Sequence, residues 1–347
     1  MSKLCKSTVV MLLSCAVSLT VLEVVLRYTS PLAEAEMGSF LFSEHPDNFR
    51  DQHRDFGYKA LSQNREIAIY SDYDHAWVEF DVSFTVNNAG LVQLSNIDPT
   101  KPYTILVGDS FTQGHGAVPW FYELENEFPR PLANLGIPAI GVSHFAKAID
   151  WFQNTQAMVD KVFIIIIADD FFRPYWWARS SESAILICYA ETWCSTTFTK
   201  WHDGTPQAVI EKRISELMRT ERIKIYLRSI LYRFEIGKLL LSLNQSIKFR
   251  TRRDYFDDNK LSFQDLIRRY PVALVLHLPE KHEAQLQRWF PRSQEVRQFI
   301  QNTGVQYIDG LDKCGLESND YYKADGHPNK TGYQKIKACV GELLAGI

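Results

Sequence analysis

The chain has 347 residues, enough for one large domain or two modest ones, and its 46% hydrophobic content suits a chain that buries a core. A formal net charge of -3, from 38 Lys and Arg against 41 Asp and Glu, offers no general attraction for nucleic acid, so a polyanion-binding role is excluded first. The sequence contains no Cys-x-x-Cys, which removes zinc-ribbon and thioredoxin-like readings.

The N-terminus carries a targeting signal. Lys3 and Lys6 precede an uncharged stretch over residues 8–22, and apolar character resumes past Glu23 up to Arg27. Residues 9–26 are just long enough to span a hydrocarbon core if Glu23 reaches the headgroups, which reads as a retained signal anchor. The competing reading is a cleaved signal peptide with Ala33-Glu34-Ala35 as its small-residue site. Both export the remainder, and the lysines before the segment with Glu34, Glu36, Glu44 and Asp47 after it place the N-terminus in the cytoplasm. The expectation is a single-pass protein of the cell membrane, associated through its N-terminal helix, with the rest facing the periplasm or exterior. Cys188, Cys194, Cys314 and Cys339 then lie where disulfides are permitted. The shortest pairings are Cys188 with Cys194 and Cys314 with Cys339, although spacing does not fix connectivity and buried free thiols stay open.

Residues 31–100 form an N-terminal extension with small β elements. Alternation over residues 77–86 predicts one strand, and Asn87-Asn88-Ala89-Gly90 a turn. A periodic core begins at Lys101. Apolar runs at 103–107, 132–135, 162–167, 272–278 and 305–308 predict five strands. Helical spacing over 117–128, 145–159, 283–303 and from about 331 onward supplies helices between and after them. This alternation predicts an α/β three-layer sandwich with a central, mostly parallel five-stranded sheet. Within residues 101–347, a lid-like helical and aromatic insertion is expected at about 175–264. It opens with Tyr175, Trp176, Trp177, Trp193, Phe198 and Trp201 and continues as a long helical stretch over 206–243, which packs as a lid or lies on a membrane surface.

The chemistry starts at Gly108-Asp109-Ser110-Phe111-Thr112-Gln113-Gly114, a serine set just past a buried strand between glycines. Alone, this heptad is as compatible with a turn or a helix cap. Far downstream, Asp325-Gly326-His327-Pro328-Asn329 supplies a histidine with a carboxylate two residues away, the base and orienter a serine nucleophile needs. Pro328 favours an extended backbone at His327, which predicts that Asp325 and His327 point to the same side. In an open parallel sheet ligands bind beyond the carboxyl ends of the strands. Ser110, Gly136 and Asp169-Asp170 each follow a predicted strand, so they converge on one edge with the Asp325–His327 loop.

Gly108-Asp109-Ser110, Asn134-Leu135-Gly136 and the C-terminal Asp-x-His-Pro-Asn together resemble the SGNH (GDSL-type) hydrolase superfamily, in particular its membrane-anchored bacterial type, over roughly residues 85–347. The resemblance implies a flavodoxin-like fold and a Ser110–His327–Asp325 triad. It also implies an oxyanion hole from the N–H groups of Ser110 and Gly136 and an asparagine side chain, with no cofactor. Two departures stand out. Asp169 occupies the asparagine's place, and an ionised carboxylate cannot donate to an oxyanion; it is protonated, replaced by a donor such as Asn134, or a mark of weakened chemistry. The Asp-x-His spacing is shorter than the commoner Asp-x-x-His and also occurs in members that O-acetylate exopolysaccharides.

The leading expectation is an exported serine esterase acting on an acylated carbohydrate or other envelope ester, since Trp and Tyr faces stack against sugars. The rivals are an O-acetyltransferase using the same triad and a binding or assembly module with a disabled site. His115 and His144 are expected as rim residues. A metal site built from Asp169, Asp170, Asp325 and His327 is the weakest reading, because no ordered ligand loop accompanies them.

Overall fold

The computed structural model describes residues 14, 17–25, 38–43, 48, 56–71, 76–180, 184–190, 193–200, 208, 211–212, 215, 234 and 255–346. The chain divides into two compact units. One comprises Met1–Ser39, Tyr70–Trp77 and Gly204–Arg253; the other, Phe40–Ile69, Val78–Asp203 and Asp254–Ile347, holds the parallel sheet and every candidate site residue. In the first unit, residues 14 and 17–25 have helical backbone. Among the described residues no helix is long and apolar enough to cross a membrane, so the expected spanning helix is not seen. Most of the helical stretch expected over 206–243 lies outside the described residues.

The extension contributes strands β1 (Gly38–Ser43), β2 (Gln63–Ser71) and β3 (Ala76–Thr85). The core follows with β4 (Tyr103–Gly108), the one-turn helix α1 (Ser110–Gln113), α2 (Phe121–Glu127), β5 (Leu132–Gly136), α3 (Val142–Thr155) and β6 (Val159–Ile166). Three strands come next, β7 (Trp177–Ser180), β8 (Ala184–Ala190) and β9 (Trp193–Lys200). The second half of the core is α4 (Phe256–Arg269), β10 (Val272–His277), α5 (Lys281–Leu286), α6 (Pro291–Asn302), β11 (Tyr307–Asp309), α7 (Gly310–Cys314) and α8 (Lys330–Ala345).

The core sheet has five strands in the order β11-β10-β6-β4-β5, and every pairing is parallel. Chain order reverses between β4 and β6, which makes the end of β4 the switch point where ligands bind in such sheets. Alternate residues of the strands feed two separate cores. Ile105, Val107, Val162, Ile164 and Ile166 pack with Phe145, Ile149 and Phe152 of α3 and with Phe263 and Leu266 of α4. Leu106, Phe163, Ile165, Leu274 and Leu276 pack with Phe121 and Leu124 of α2 and with Tyr333, Ile336 and Val340 of α8. This period of two, with both faces apolar, is why the strand at β6 reads as an unbroken aliphatic run. The three-layer sandwich is as the sequence leads one to expect.

Three elements differ from expectation. The helix expected over 283–303 is two helices, because Gln287 turns left-handed at φ 49° and Pro291 opens a new first turn. The aromatic start of the expected insertion forms strands: β7 and β9 each pair antiparallel with β8, and the three join the extension in a second sheet of order β3-β2-β1-β9-β8-β7. Its β-branched and aromatic residues favour strands without lengthening into clear alternation. The last part expected for the insertion belongs to the core, since Phe256 and Phe263 of α4 are buried against Phe171 and Phe299. Cys314 and Cys339 form a disulfide with Cα atoms 5.2 Å apart, fastening α7 to α8. Cys188 is also disulfide-bonded, and the register of β8 on β9 sets it opposite Cys194.

Candidate active site

β4 delivers Asp109 and Ser110 to the switch point. Asp109 is fully buried and caps α1, its Oδ1 accepting the Phe111 N–H at 2.9 Å. Ser110 opens the helix, and its N–H finds no acceptor among the described residues, as the first turn of a helix leaves it. The far side of the turn is fixed by donors: Trp120 Nε1 gives to the Phe111 carbonyl at 3.1 Å, and the Tyr333 hydroxyl of α8 gives to the His115 carbonyl at 2.9 Å.

Ser110 Oγ lies 2.8 Å from His327 Nε2, and His327 Nδ1 is hydrogen-bonded to Asp325 Oδ1. The carboxylate fixes the imidazole with Nδ1 protonated and Nε2 facing the serine. Asp325 and His327 share a side for a reason other than the expected extended backbone. Gly326 is left-handed at φ +83°, and the tight turn lets Asp325 Oδ1 also accept the His327 N–H at 3.2 Å. The loop is pinned on both flanks. Asn329 caps α8 by accepting the Thr331 and Gly332 N–H groups at 2.9 and 3.2 Å, and the Ala324 N–H donates to Glu79 Oε1 of β3 at 2.8 Å.

The expected oxyanion donors divide. Ser110 keeps a free N–H. The Gly136 N–H does not: it donates to Asn134 Oδ1 at 2.9 Å, a local bond two residues back. Gly136 is required there for another reason, since a Cβ on it would lie 2.2 Å from the Gln113 nitrogen of the turn packed above. Asn134 is not the substitute donor either, because its amide gives to the Val92 and Thr112 carbonyls at 3.3 and 3.2 Å. Asp169 is held in an ion pair by Arg173 Nε at 2.9 Å. A carboxylate in that bond accepts and does not donate.

Arg173 was not anticipated. Its Nη1 donates to Asp109 Oδ2 at 2.9 Å, Asp170 Oδ1 at 2.8 Å and the Ile140 carbonyl at 3.0 Å. Three carboxylates thus share one guanidinium. Burial and the charge of Asp109 push the Asp170 pKa well up. Nη2 has no acceptor among the described residues, so two N–H groups of a rigidly held cation remain unused beside the nucleophile's own carboxylate. Only the short run Asp-Asp-Phe-Phe-Arg hinted at this cluster. Next to it Glu280 follows β10, and burial, then the charges of Asp169 and Glu283, raise its pKa to about 7.

His115 and His144 are not rim residues. His144 is buried in α3, stacked on Tyr175 at 4.5 Å, and burial lowers its pKa to about 4. Trp176 is buried as well, its Nε1 bonded to the Ala139 carbonyl at 2.7 Å. Tyr175 and Trp176 therefore pack inward and offer no sugar platform; the side chains of Trp193, Phe198 and Trp201 lie outside the described residues. His115 is buried against His327, with ring centroids 4.8 Å apart. His115, Asp325 and His327 each offer an atom within 4.8 Å of the others, a spacing a cation could use. Asp325 is already bonded to His327, and His327 to Ser110, whereas Asp169 and Asp170 turn to Arg173, so the metal set imagined from the sequence does not assemble.

Comparison with known proteins adds two solved structures. A member of the lipolytic protein G-D-S-L family from Veillonella parvula is 11% identical, with a TM-score of 0.33 over 71% of this chain and 99% of its own. A putative platelet activating factor from Streptococcus pneumonia is 14% identical, with a TM-score of 0.31 over 70% of this chain and 84% of its own. No protein-family model and no curated protein matches.

Proposed function

We propose that the protein is a serine ester hydrolase acting through Ser110, His327 and Asp325. The observation that carries this reading is the unbroken hydrogen-bonded chain from Ser110 Oγ through His327 to Asp325, joining residues 217 positions apart. In the first half-reaction Oγ bonds to the ester carbonyl carbon while His327 Nε2 takes the hydroxyl proton. Collapse of the tetrahedral intermediate breaks the ester C–O bond, and His327 returns that proton to the departing alcohol. Water then repeats the sequence on the acyl-enzyme and releases the carboxylic acid. Asp325 orients the imidazole and stabilises its charged form without taking the proton.

The developing oxyanion is served by the Ser110 N–H, because the Gly136 N–H is spent on Asn134 and the Asp169 carboxylate on Arg173. A site with fewer aligned donors turns over more slowly, since one donor is worth on the order of 100- to 1000-fold. The proposed substrate is a small acyl ester; with Tyr175 and Trp176 packed inward, nothing described favours a sugar in it over another alcohol.

Hydrolysis of p-nitrophenyl acetate by the full-length chain tests the reading. Turnover that Ser110→Ala reduces to the buffer rate supports it; equal rates in both proteins would exclude it in favour of a binding role. Adding an acetyl donor and an oligosaccharide extends the test, because acetate appearing on sugar instead of in water assigns a transferase.

A further inference from the structure

Behind the triad lies a second carboxylate–imidazole couple that hydrolysis as described leaves unused. Glu66 on β2 and His115 after α1 are 2% and 4% exposed at the side chain, and Glu66 Oε2 approaches His115 Nδ1 to 3.1 Å. The approach is a charge contact and not an aligned hydrogen bond, for neither atom has a well-directed partner. Glu66 Oε1 instead accepts from the Tyr58 hydroxyl at 3.4 Å, and Tyr58 accepts from Gln113 Nε2 at 2.8 Å. His115 stands edge-on to His327, and Phe111 lies tilted 5.4 Å from the same ring, so two rings contact the proposed base. Phe80 of β3 in turn packs edge-on to His115 at 5.2 Å.

We propose that Glu66 and His115 are positioning residues of the Ser110 site: Glu66 holds a charged His115 against His327, which fixes that ring. The proposal rests on the esterase reading above. An unpaired buried imidazolium would be expelled or neutralised, so the arrangement needs Glu66. Burial pushes the His115 pKa down, but Glu66, then Asp325 and Asp109, outweigh it and leave the net shift upward. These three carboxylates, His327 and the phenols of Tyr58, Tyr322 and Tyr333 are the titratable groups around it.

Two measurements on the full-length chain test this. In Ser110→Ala protein with 13C-labelled histidine, the His115 signal, assigned by its loss in His115→Gln, should show a charged ring at pH 7 that Glu66→Gln renders neutral. A neutral His115 at pH 7 with Glu66 intact overturns the proposal whether or not the protein hydrolyses esters. In active protein, Glu66→Gln and His115→Gln should each lower kcat about tenfold or more with KM little changed, as a misplaced base requires. An unchanged kcat, or a fall in kcat matched by the loss of folded protein in the same samples, would mean the pair is only structural and overturns the proposal. Absence of any Ser110-dependent hydrolysis in the parent protein counts against the esterase reading alone.

Discussion

At the scale of single residues, the site turns on which donors and charges are already spoken for. Asp169 is the most informative substitution. Asp169→Asn keeps an oxygen for Arg173 Nε and adds an amide, so kcat for p-nitrophenyl acetate should rise about tenfold, below the full value of one aligned donor. An unchanged kcat would show that this side chain does not face the oxyanion. The buried histidines make a separate prediction about acid stability. Burial, together with the charge of Arg297, lowers His277 to about 3, and burial lowers His144 to about 4. Between these values and the unfolded value of about 6.5 only the unfolded chain binds the proton, so stability is intact above pH 6.5 and falls as pH drops. From pH 6.5 to 5 each histidine costs roughly 2 kcal/mol. Urea midpoints should therefore fall over that interval, and fall less in His277→Gln; an equal fall in both would refute the assignment.

At the scale of elements, the extension's strands do more than precede the core. Glu79 on β3 pins the Asp325–His327 loop through the Ala324 N–H, and Glu66 on β2 and Phe80 on β3 surround His115. Glu79→Ala should lower kcat/KM about tenfold or more through a looser base, at a stability cost near 1 kcal/mol for one lost hydrogen bond. A stability loss without the kinetic loss would place Glu79 outside the site. The Cys314–Cys339 bond closes a 25-residue loop, and Cys339→Ser should lower stability by about 3 kcal/mol in denaturant titration.

Much of this scale was legible in the sequence. The aliphatic runs of β4, β6 and β10 announced buried parallel strands because both faces are covered, and the heptad around Ser110 announced the turn. The strands β7 to β9 were not legible, as their pairing depends on β1, which lies more than a hundred residues earlier. Nor were the partners of Gly136, Asn134 and Asp169, since a residue type states what it can donate and only the folded chain states to whom. His115 looked peripheral because a lone histidine near a motif gives no sign of a buried glutamate on a distant strand.

At the scale of the whole molecule, the unit that carries the site is discontinuous, drawn from Phe40–Ile69, Val78–Asp203 and Asp254–Ile347. The boundary at residue 101 suggested by periodicity is thus not a boundary of the active site. A chain beginning at residue 101 would leave His115 without Glu66 and Phe80, and hydrophobic core positions such as Phe56, Leu91 and Ile97 would be missing. It should bind a hydrophobic dye and unfold without a cooperative transition; a cooperative melt in that shortened chain would show that the core stands alone.

The turn at Asp325-Gly326-His327 also has a consequence in time. Ser110 is synthesised 217 positions ahead of His327, so the strand that carries the proposed nucleophile is made before its proposed base exists. A ribosome-bound chain that stops short of His327 therefore carries that serine without its hydrogen-bond partner. The proposed triad assembles only when α8 packs and the loop that Asn329 caps onto it sets His327 beside Ser110.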